Sequence, residues 1–242
     1  MVKYYKNASR FEADVGIANV TVVFEICGIN YTRLSNENGT ASIAINLRPG
    51  NYTIKTTCNN VSFENNIEVL STLMAQNLVK YFQNASQFYI GLVNGEGNSV
   101  PGADITMNIN GVFYTRTTNE NGTARLNINL EPGEYILTAK DPFTGLEMSY
   151  VITVLPVLTG KGLNMTYKEG HVFEATLVDD KGNALANATV NFNINGVFYT
   201  RRTDSAGIAR LNINLMPGEY IITSAYENAV TSNKITIMAK ED

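Results

Sequence analysis

The sequence predicts an all-β protein made of three tandem antiparallel β-sandwich domains arranged end to end. Three observations support this: a motif that occurs three times, apolar residues that alternate with polar ones, and Asn, Gly and Pro clusters between the alternating runs. Six residues of the middle copy recur 85 residues later and 83 residues earlier: Gly111, Arg116, Gly122, Pro132, Gly133 and Tyr135. Self-similarity at a fixed period indicates repeated modules.

The spacing places the domains at residues 1–73, 74–158 and 159–242, each roughly 80 residues long and large enough to fold. The offset between the first two copies falls from 83 at Gly28 and Gly111 to 77 at Phe11 and Phe88, so the first copy has a shortened loop. Residues 71–76 and 156–162 link the domains. Neither link is a flexible Gly/Ser spacer, so we expect restricted hinging.

Within the middle copy, Leu126, Ile128 and Leu130 alternate with polar residues, which predicts a strand with one apolar face. Residues 119–122 end in a glycine suited to a tight hairpin, and Pro132-Gly133 suits the centre of a type II turn. The sequence therefore predicts an antiparallel meander across residues 108–139.

The apolar positions of the middle copy also predict its core. The inward-facing candidates are Phe88, Ile90, Leu92, Ile105, Met107, Ile109, Leu126, Ile128, Leu130, Tyr135, Leu137, Ile152 and Val154. Tyr135 opens the strand after the Pro-Gly turn, where immunoglobulin-type sandwiches place a tyrosine whose hydroxyl ties down the corner. A half-buried ring with its hydroxyl at the surface is the alternative.

Composition argues against several partners. The formal net charge is −4, the charged fraction is 17%, and no Lys/Arg cluster is present, so we expect no nucleic-acid binding. No apolar run approaches the ~20 residues of a membrane span, so we expect no membrane insertion. The first residues lack the apolar core of a signal peptide, so if the parent protein is exported, this chain is a segment of it.

No catalytic or cofactor-binding constellation emerges from the residues. His171 is the only histidine and has no counterpart in the other copies, so we expect neither an enzyme nor a cofactor. Residues 94–98 and 179–183 are rich in the oxygen ligands of calcium, but Asp, Asn and Gly also serve any turn. We predict turns and no metal site.

Cys27 and Cys58 occur only in the first copy, near the ends of its third and sixth strands. Those strands should run antiparallel, which separates the thiols by more than the ~7 Å between Cα atoms that a disulfide allows. A disulfide between Cys27 and Cys58 is therefore the less favoured interpretation, and free thiols are the alternative.

Asn-X-Ser/Thr sequons are more frequent than random placement predicts, which indicates a glycosylated outer surface unless composition alone accounts for the excess. The possible N-glycosylation sites are Asn7, Asn19, Asn30, Asn38, Asn51, Asn60, Asn84, Asn121, Asn164 and Asn187.

The repeated motifs resemble the bacterial-type immunoglobulin-like modules of adhesin-like surface proteins in methanogenic archaea, and the resemblance covers essentially the whole chain. It is carried by residues 193–201 (Asn-Ile-Asn-Gly-Val-Phe-Tyr-Thr-Arg), by Asn-Glu-Asn-Gly-Thr at 36–40 and 119–123, and by Leu-X-Pro-Gly-X-Tyr at 47–52, 130–135 and 215–220. The layout also resembles carboxypeptidase-regulatory-like and transthyretin-like sandwiches. The resemblance implies an extracellular stalk or adhesin segment and brings no catalytic residues.

Surface adhesins of bacteria often carry a Lys–Asn isopeptide cross-link. Lys3 and Lys80 in first strands, with Glu25 and with Asn65 or Asn66, suggest the same arrangement here. The third copy has Asn164 at the aligned position, which argues against it.

Two functions remain open. The first is a spacer in an adhesin stalk, whose partners are the adjacent repeats of the parent chain. The second is a module that binds a glycan or a protein of another cell, with residues 94–102 and 179–184 as the contact surface. Phe113 to Arg116 and Phe198 to Arg201 also suit a contact surface, although strands that alternate core and rim residues explain them equally.

Overall fold

The computed structural model describes residues 1–240, which form 23 strands and no helix. The predicted all-β class is confirmed. By their internal contacts the residues fall into two compact units, and the middle repeat contributes to both. The first unit comprises Met1–Gln76, Phe88–Leu126 and Ile136–Tyr150, and the second comprises Asn77–Gln87, Asn127–Tyr135 and Val151–Asp242.

The first repeat lies wholly in the first unit. Its strands are β1 (Val2–Tyr4), β2 (Arg10–Asp14), β3 (Thr21–Ile26), β4 (Ile29–Leu34), β5 (Thr40–Ala44), β6 (Gly50–Cys58) and β7 (Val61–Leu70). One sheet has the order β1-β7-β6-β3-β4, and β2 pairs with β5 in the other. Strand β1 runs parallel to β7, whereas the other pairs are antiparallel.

The middle repeat adds a strand at its start. Its strands are β8 (Leu73–Ala75), β9 (Leu78–Tyr81), β10 (Gln87–Leu92), β11 (Asp104–Ile109), β12 (Val112–Thr117), β13 (Thr123–Asn127), β14 (Gly133–Lys140) and β15 (Glu147–Leu155). The sheets have the orders β12-β11-β14-β15-β9 and β13-β10-β8.

The third repeat lies in the second unit and has the same plan. Its strands are β16 (Leu158–Gly160), β17 (Leu163–Thr166), β18 (Val172–Leu177), β19 (Thr189–Ile194), β20 (Val197–Arg202), β21 (Ile208–Asn212), β22 (Gly218–Tyr226) and β23 (Ala229–Met238). The sheets have the orders β17-β23-β22-β19-β20 and β16-β18-β21.

The segments interpreted as links contain strands. Strand β8 pairs with β10, and β16 pairs with β18, so each extends a sheet of the repeat that follows. The interpretation of these segments as links is therefore corrected. The domain boundaries after residues 73 and 158 stay predictions, and β8 and β16 lie across them.

The predicted meander is wrong. Strand β12 is at the edge of the five-stranded sheet, whereas β13 lies in the three-stranded sheet, so the turn at residues 119–122 crosses from one sheet to the other. The hairpin is at Asn110-Gly111, whose φ values of 52° and 78° suit a type I′ turn between β11 and β12. Alternation shows which face of a strand is buried, but it does not identify the strand's neighbour.

The cores follow the predicted pattern. Every inward-facing candidate in the middle repeat is buried except Leu130 and Tyr135, which are half-buried. Aromatic contacts recur in each repeat: Phe11 meets Phe24 edge to face at 6.0 Å between ring centroids, and Phe173 meets Phe192 in the same way at 5.8 Å. Such pairs stabilise a core beyond the area that they bury.

The tyrosine corner is present in all three repeats. The hydroxyl of Tyr135 donates to the carbonyl oxygen of Glu131 at 2.8 Å. Tyr52 and Tyr220 make the same bond to the residue four positions earlier, at 2.8 and 2.9 Å. The interpretation of Tyr135 as a corner residue is confirmed, because its hydroxyl fixes the turn that leads into its strand.

Candidate functional site: the contact between repeats

A side-chain contact joins the first repeat to the second, within the first unit. The turn after β1 carries Asn7, whose Nδ2 donates to the carbonyl oxygen of Gly95 at 2.7 Å. The ring of Tyr4 lies over Gly97, where an added Cβ would be 2.5 Å from the tyrosine Cε2. We call this pair of interactions the repeat clasp.

The same clasp joins the second repeat to the third, within the second unit. Asn84 Nδ2 donates to the carbonyl oxygen of Asp180 at 2.8 Å. The ring of Tyr81 lies over Gly182, where an added Cβ would also be 2.5 Å from the tyrosine ring. The two clasps therefore use the same atoms in the same arrangement.

Local turns hold both halves of the clasp in place. Asn84 Oδ1 accepts the backbone N–H of Ser86 at 2.8 Å, and Asn7 Oδ1 accepts that of Ser9 in the same way. Each Oδ1 is therefore held by its own turn, and each amide nitrogen is directed at the loop of the next repeat. In the receiving loop, Asp179 Oδ1 accepts the backbone N–H groups of Lys181 and Asn183. The Asn183 side chain, followed by these backbone donors, lowers the pKa of Asp179 below its usual value.

The third repeat lacks the tyrosine and asparagine of the clasp, and the first repeat has a shorter loop where the later repeats receive them. In the third repeat, Thr166 and Glu169 occupy the positions of the clasp tyrosine and asparagine, as their shared backbone turn shows. Glu169 Oε2 instead accepts the N–H of Thr166, and this bond is the main reason that the pKa of Glu169 is lowered. In the first repeat, the loop between β2 and β3 is short, as predicted.

The clasp residues were missed as a site. Asn7 and Asn84 were predicted only as sequons, and Tyr4 and Tyr81 received no role. A signal was available: Tyr-X-X-Asn-Ala-Ser occurs at residues 4–9 and 81–86 and has no counterpart in the third copy. Comparing the repeats for shared exposed residues would have found it.

The sequons differ in accessibility. Asn7 and Asn84 are half-buried in the clasps. The other sequon asparagines are exposed: Asn19, Asn30, Asn38, Asn51, Asn60, Asn121, Asn164 and Asn187. Use of these sites stays a prediction.

The two cysteines are free thiols. Cys27 is exposed in the turn between β3 and β4, with a φ of 52°, and Cys58 is buried at the end of β6. Strands β3 and β6 run antiparallel, as expected.

The suggested isopeptide arrangement is not assembled. Lys80 is buried, and its Nζ donates to the carbonyl oxygens of Ile128 at 2.8 Å and Ser86 at 3.3 Å. Lys3 makes the equivalent bonds in the first repeat. Burial lowers the pKa of both lysines. The suggested carboxylate and amide partners are exposed: Glu25, Asn65 and Asn66.

The alignment at Lys80 also needs correction. Lys80 pairs with Val154, and Met165 pairs with Ile237 at the same place in the third repeat. The buried counterpart of Lys80 is therefore Met165, and Asn164 is exposed beside it. Lys80 bridges the carbonyl oxygens of Ser86 and Ile128, which adjoin β10 and β13. At the corresponding place in the third repeat, the N–H of Ile213 donates directly to the carbonyl oxygen of His171.

Other chemistry is sparse in the described residues. His171 is exposed and lies 3.3 Å from the Glu169 carboxylate. Within residues 1–240, no group of three or more His, Cys, Asp or Glu side chains is placed to hold a metal ion. The same residues contain no helix that could cross a membrane.

The sheet topology and the three tyrosine corners define a tandem of immunoglobulin-like β-sandwiches. Solved structures that match this chain include the I9–I11 tandem of titin (18% identity, 99% of this chain and 96% of that chain, TM-score 0.34). Others are Drosophila OTK extracellular domains 3–5 (12%, 99% and 94%, 0.26) and a 1.5-MDa bacterial ice-binding adhesin (15%, 99% and 94%, 0.23). No protein-family profile and no curated protein matches the sequence.

Proposed function

We propose that this chain is a non-catalytic spacer segment of an extracellular, adhesin-like cell-surface protein. The observation that carries the proposal is the repeat clasp, which occurs with the same geometry after the first and the second repeat. The resemblance of the repeated motifs to the modules of archaeal adhesin-like proteins supports a surface location, with an anchor elsewhere in the parent protein.

The clasp suits a spacer because it restricts motion between neighbouring sandwiches. Domains of one chain move relative to each other by default unless a large hydrophobic interface holds them. The clasp is a smaller contact, but both of its interactions depend on how the two repeats are oriented. Here a preoriented amide meets a fixed carbonyl, and a tyrosine ring occupies the space above a glycine. Both interactions weaken if the neighbouring repeats rotate apart, so each clasp holds the orientation of the two repeats that it joins.

The clasp also bears on the alternative function. The loops at residues 94–102 and 179–184 were the suggested ligand contacts, but Gly95 and Asp180 in these loops accept hydrogen bonds from the asparagines of the preceding repeats. A ligand at these loops would have to displace those contacts. This favours the spacer role for the loops.

A double variant tests the proposal. Asn7→Asp and Asn84→Asp keep the Oδ1 acceptor of the local turn but lose the Nδ2 donor and put a carboxylate against a carbonyl oxygen. Small-angle scattering should show a broader distribution of dimensions for the double variant than for the native chain. Asn38→Asp, at an exposed sequon in the turn between β4 and β5, is the matched control and should leave the profile unchanged. Identical profiles for all three proteins would remove the basis for the spacer.

A further inference from the structure

A row of side chains crosses the outward face of the five-stranded sheet in the middle repeat. Asn108 on β11 lies between Phe113 on β12 and Thr138 on β14 in the strand register. The Thr138 hydroxyl is hydrogen-bonded to that of Ser149 on β15 at 3.0 Å. Met107 and Ile109, the neighbours of Asn108 in its strand, are buried in the core, so Asn108 points to the opposite side. We call these four residues the outer row.

The third repeat carries the same outer row. Asn193 lies between Phe198 and Thr223 in register, and Thr223 is hydrogen-bonded to Ser232 at 3.0 Å. The phenylalanines at the ends of the two rows are among the most exposed apolar side chains, at 72% for Phe113 and 74% for Phe198. The last member of each row follows a loop of different length, yet the same residue type stands at the same register position.

The first repeat has a different row in this place. Register pairs Asn30 with Glu25, Glu25 with Lys55, and Lys55 with Glu64. A sequon asparagine therefore replaces the phenylalanine, and three charged residues replace the amide and the hydroxyls. The fold does not need the aromatic row, because the first sandwich forms without it.

The chemistry of the outer row matches an uncharged carbohydrate. An exposed aromatic ring offers a flat apolar surface for the C–H face of a sugar, while amide and hydroxyl groups supply both donors and acceptors. Within residues 1–240, no hydrogen bond engages the side chain of Asn108 or Asn193, so both amides are available to a ligand. Four adjacent strands at ~4.8 Å spacing make the row about 14 Å long, which suits an extended run of sugars.

We propose that the outer rows of the second and third repeats bind a neutral polysaccharide. The rows contain no charged residue, so an anionic polymer gains nothing from them. An exposed sheet edge is where a second copy of a chain pairs most readily. Strands β12 and β20 form such edges, but so does β4 in the first repeat, so edge pairing would not be confined to two repeats. The outer row, in contrast, runs across four strands and is confined to two repeats, which favours the polysaccharide over self-association.

The test measures retention of the intact chain by soluble xylan, galactomannan and starch, and by cellulose, with alginate as the charged comparison. We expect retention by at least one neutral polymer and none by alginate. The double variant Phe113→Ala, Phe198→Ala should lose at least tenfold in affinity, and each single variant should lose less, because two rows act together. Phe143→Ala is the matched control, since Phe143 is 71% exposed but lies in the loop between β14 and β15.

Any of three retention results would overturn the proposal: no retention by any neutral polymer, retention that the double variant keeps, or retention by alginate alone. Self-association of the native chain in sedimentation experiments, abolished by the double variant without any polysaccharide binding, would assign the row to a second copy and would also overturn it. Circular dichroism confirms that the variants fold. The clasp variants leave the outer rows intact, so this proposal and the spacer role fail independently.

Discussion

Replacing Gly122 with alanine should destabilise the middle repeat far more than replacing Gly111, although both glycines have positive φ values, of 71° and 78°. Positive φ alone costs an alanine about 1 kcal/mol or slightly more. At Gly111 an added Cβ has no atom within 4 Å, so this backbone cost is the whole effect.

At Gly122 the added Cβ would also meet the main chain. It would lie 2.9 Å from the carbonyl oxygen of Leu92 and from the backbone nitrogen of Val100. These two atoms are the acceptor and the donor of one hydrogen bond, Val100 N–H to Leu92 O, and the Leu92 N–H donates to Gly122 O beside it, so two hydrogen bonds at the crossing between the sheets are disturbed. Weakening both costs about 1 kcal/mol each, and the steric overlap adds about 1 more, so the total is about 4 kcal/mol.

Native-state hydrogen exchange resolves this difference within the full chain, where one melting temperature would mix several repeats. The difference of about 3 kcal/mol corresponds to exchange about 100-fold faster for amides of β10 and β13 in Gly122→Ala than in Gly111→Ala. Equal protection in the two variants would refute the argument that the turn is held by close backbone contact.

Three further predictions concern single side chains. Tyr135→Phe removes one hydroxyl hydrogen bond and should lower the free energy of unfolding of the middle repeat by about 1 kcal/mol in native-state hydrogen exchange, as Tyr52→Phe should in the first repeat. Lys80→Met should leave stability at pH 7 unchanged or higher, because Met165 occupies the same site natively. Burial lowers the pKa of Lys80 in the folded state, so the native chain should gain stability as pH rises from that lowered pKa towards 10.5, and the variant should lack this gain. In a host that glycosylates Asn-X-Ser/Thr, peptide mapping should find Asn38 and Asn121 more occupied than Asn84, whose amide nitrogen donates to Asp180. A difference in stability between the native chain and Lys80→Met that does not change with pH, or full glycan occupancy at Asn84, would contradict these expectations.

The sequence predicted what depends on neighbouring residues. Alternation along Leu126 and Ile128 marked the buried face of a strand, and the Pro-Gly-X-Tyr order marked the tyrosine corner, because each signal lies within one short segment. The meander prediction was wrong because strand pairing depends on residues outside the segment. Whether β13 pairs with β12 or with β10 depends on which sheet receives it, and both choices bury the same face.

The clasp and the outer row could not be predicted from a single segment either. Asn84 and Asp180 are 96 residues apart, and the members of an outer row come from four strands whose order is set by the topology. No pattern within one strand reveals such neighbours. The register of strands distant in sequence has to be known before side chains on a common face can be grouped.

Comparison of the repeats recovers part of this information. Residues shared by all three copies, such as Tyr52, Tyr135 and Tyr220, serve the sandwich itself, because every copy must form the same corner. Residues shared by only two copies are not required for the sandwich, since the remaining copy folds without them. The clasp tyrosine and asparagine occur in the first two copies, and the outer-row phenylalanine occurs in the last two. Departures from the repeat therefore mark the surfaces where a copy meets something other than its own core.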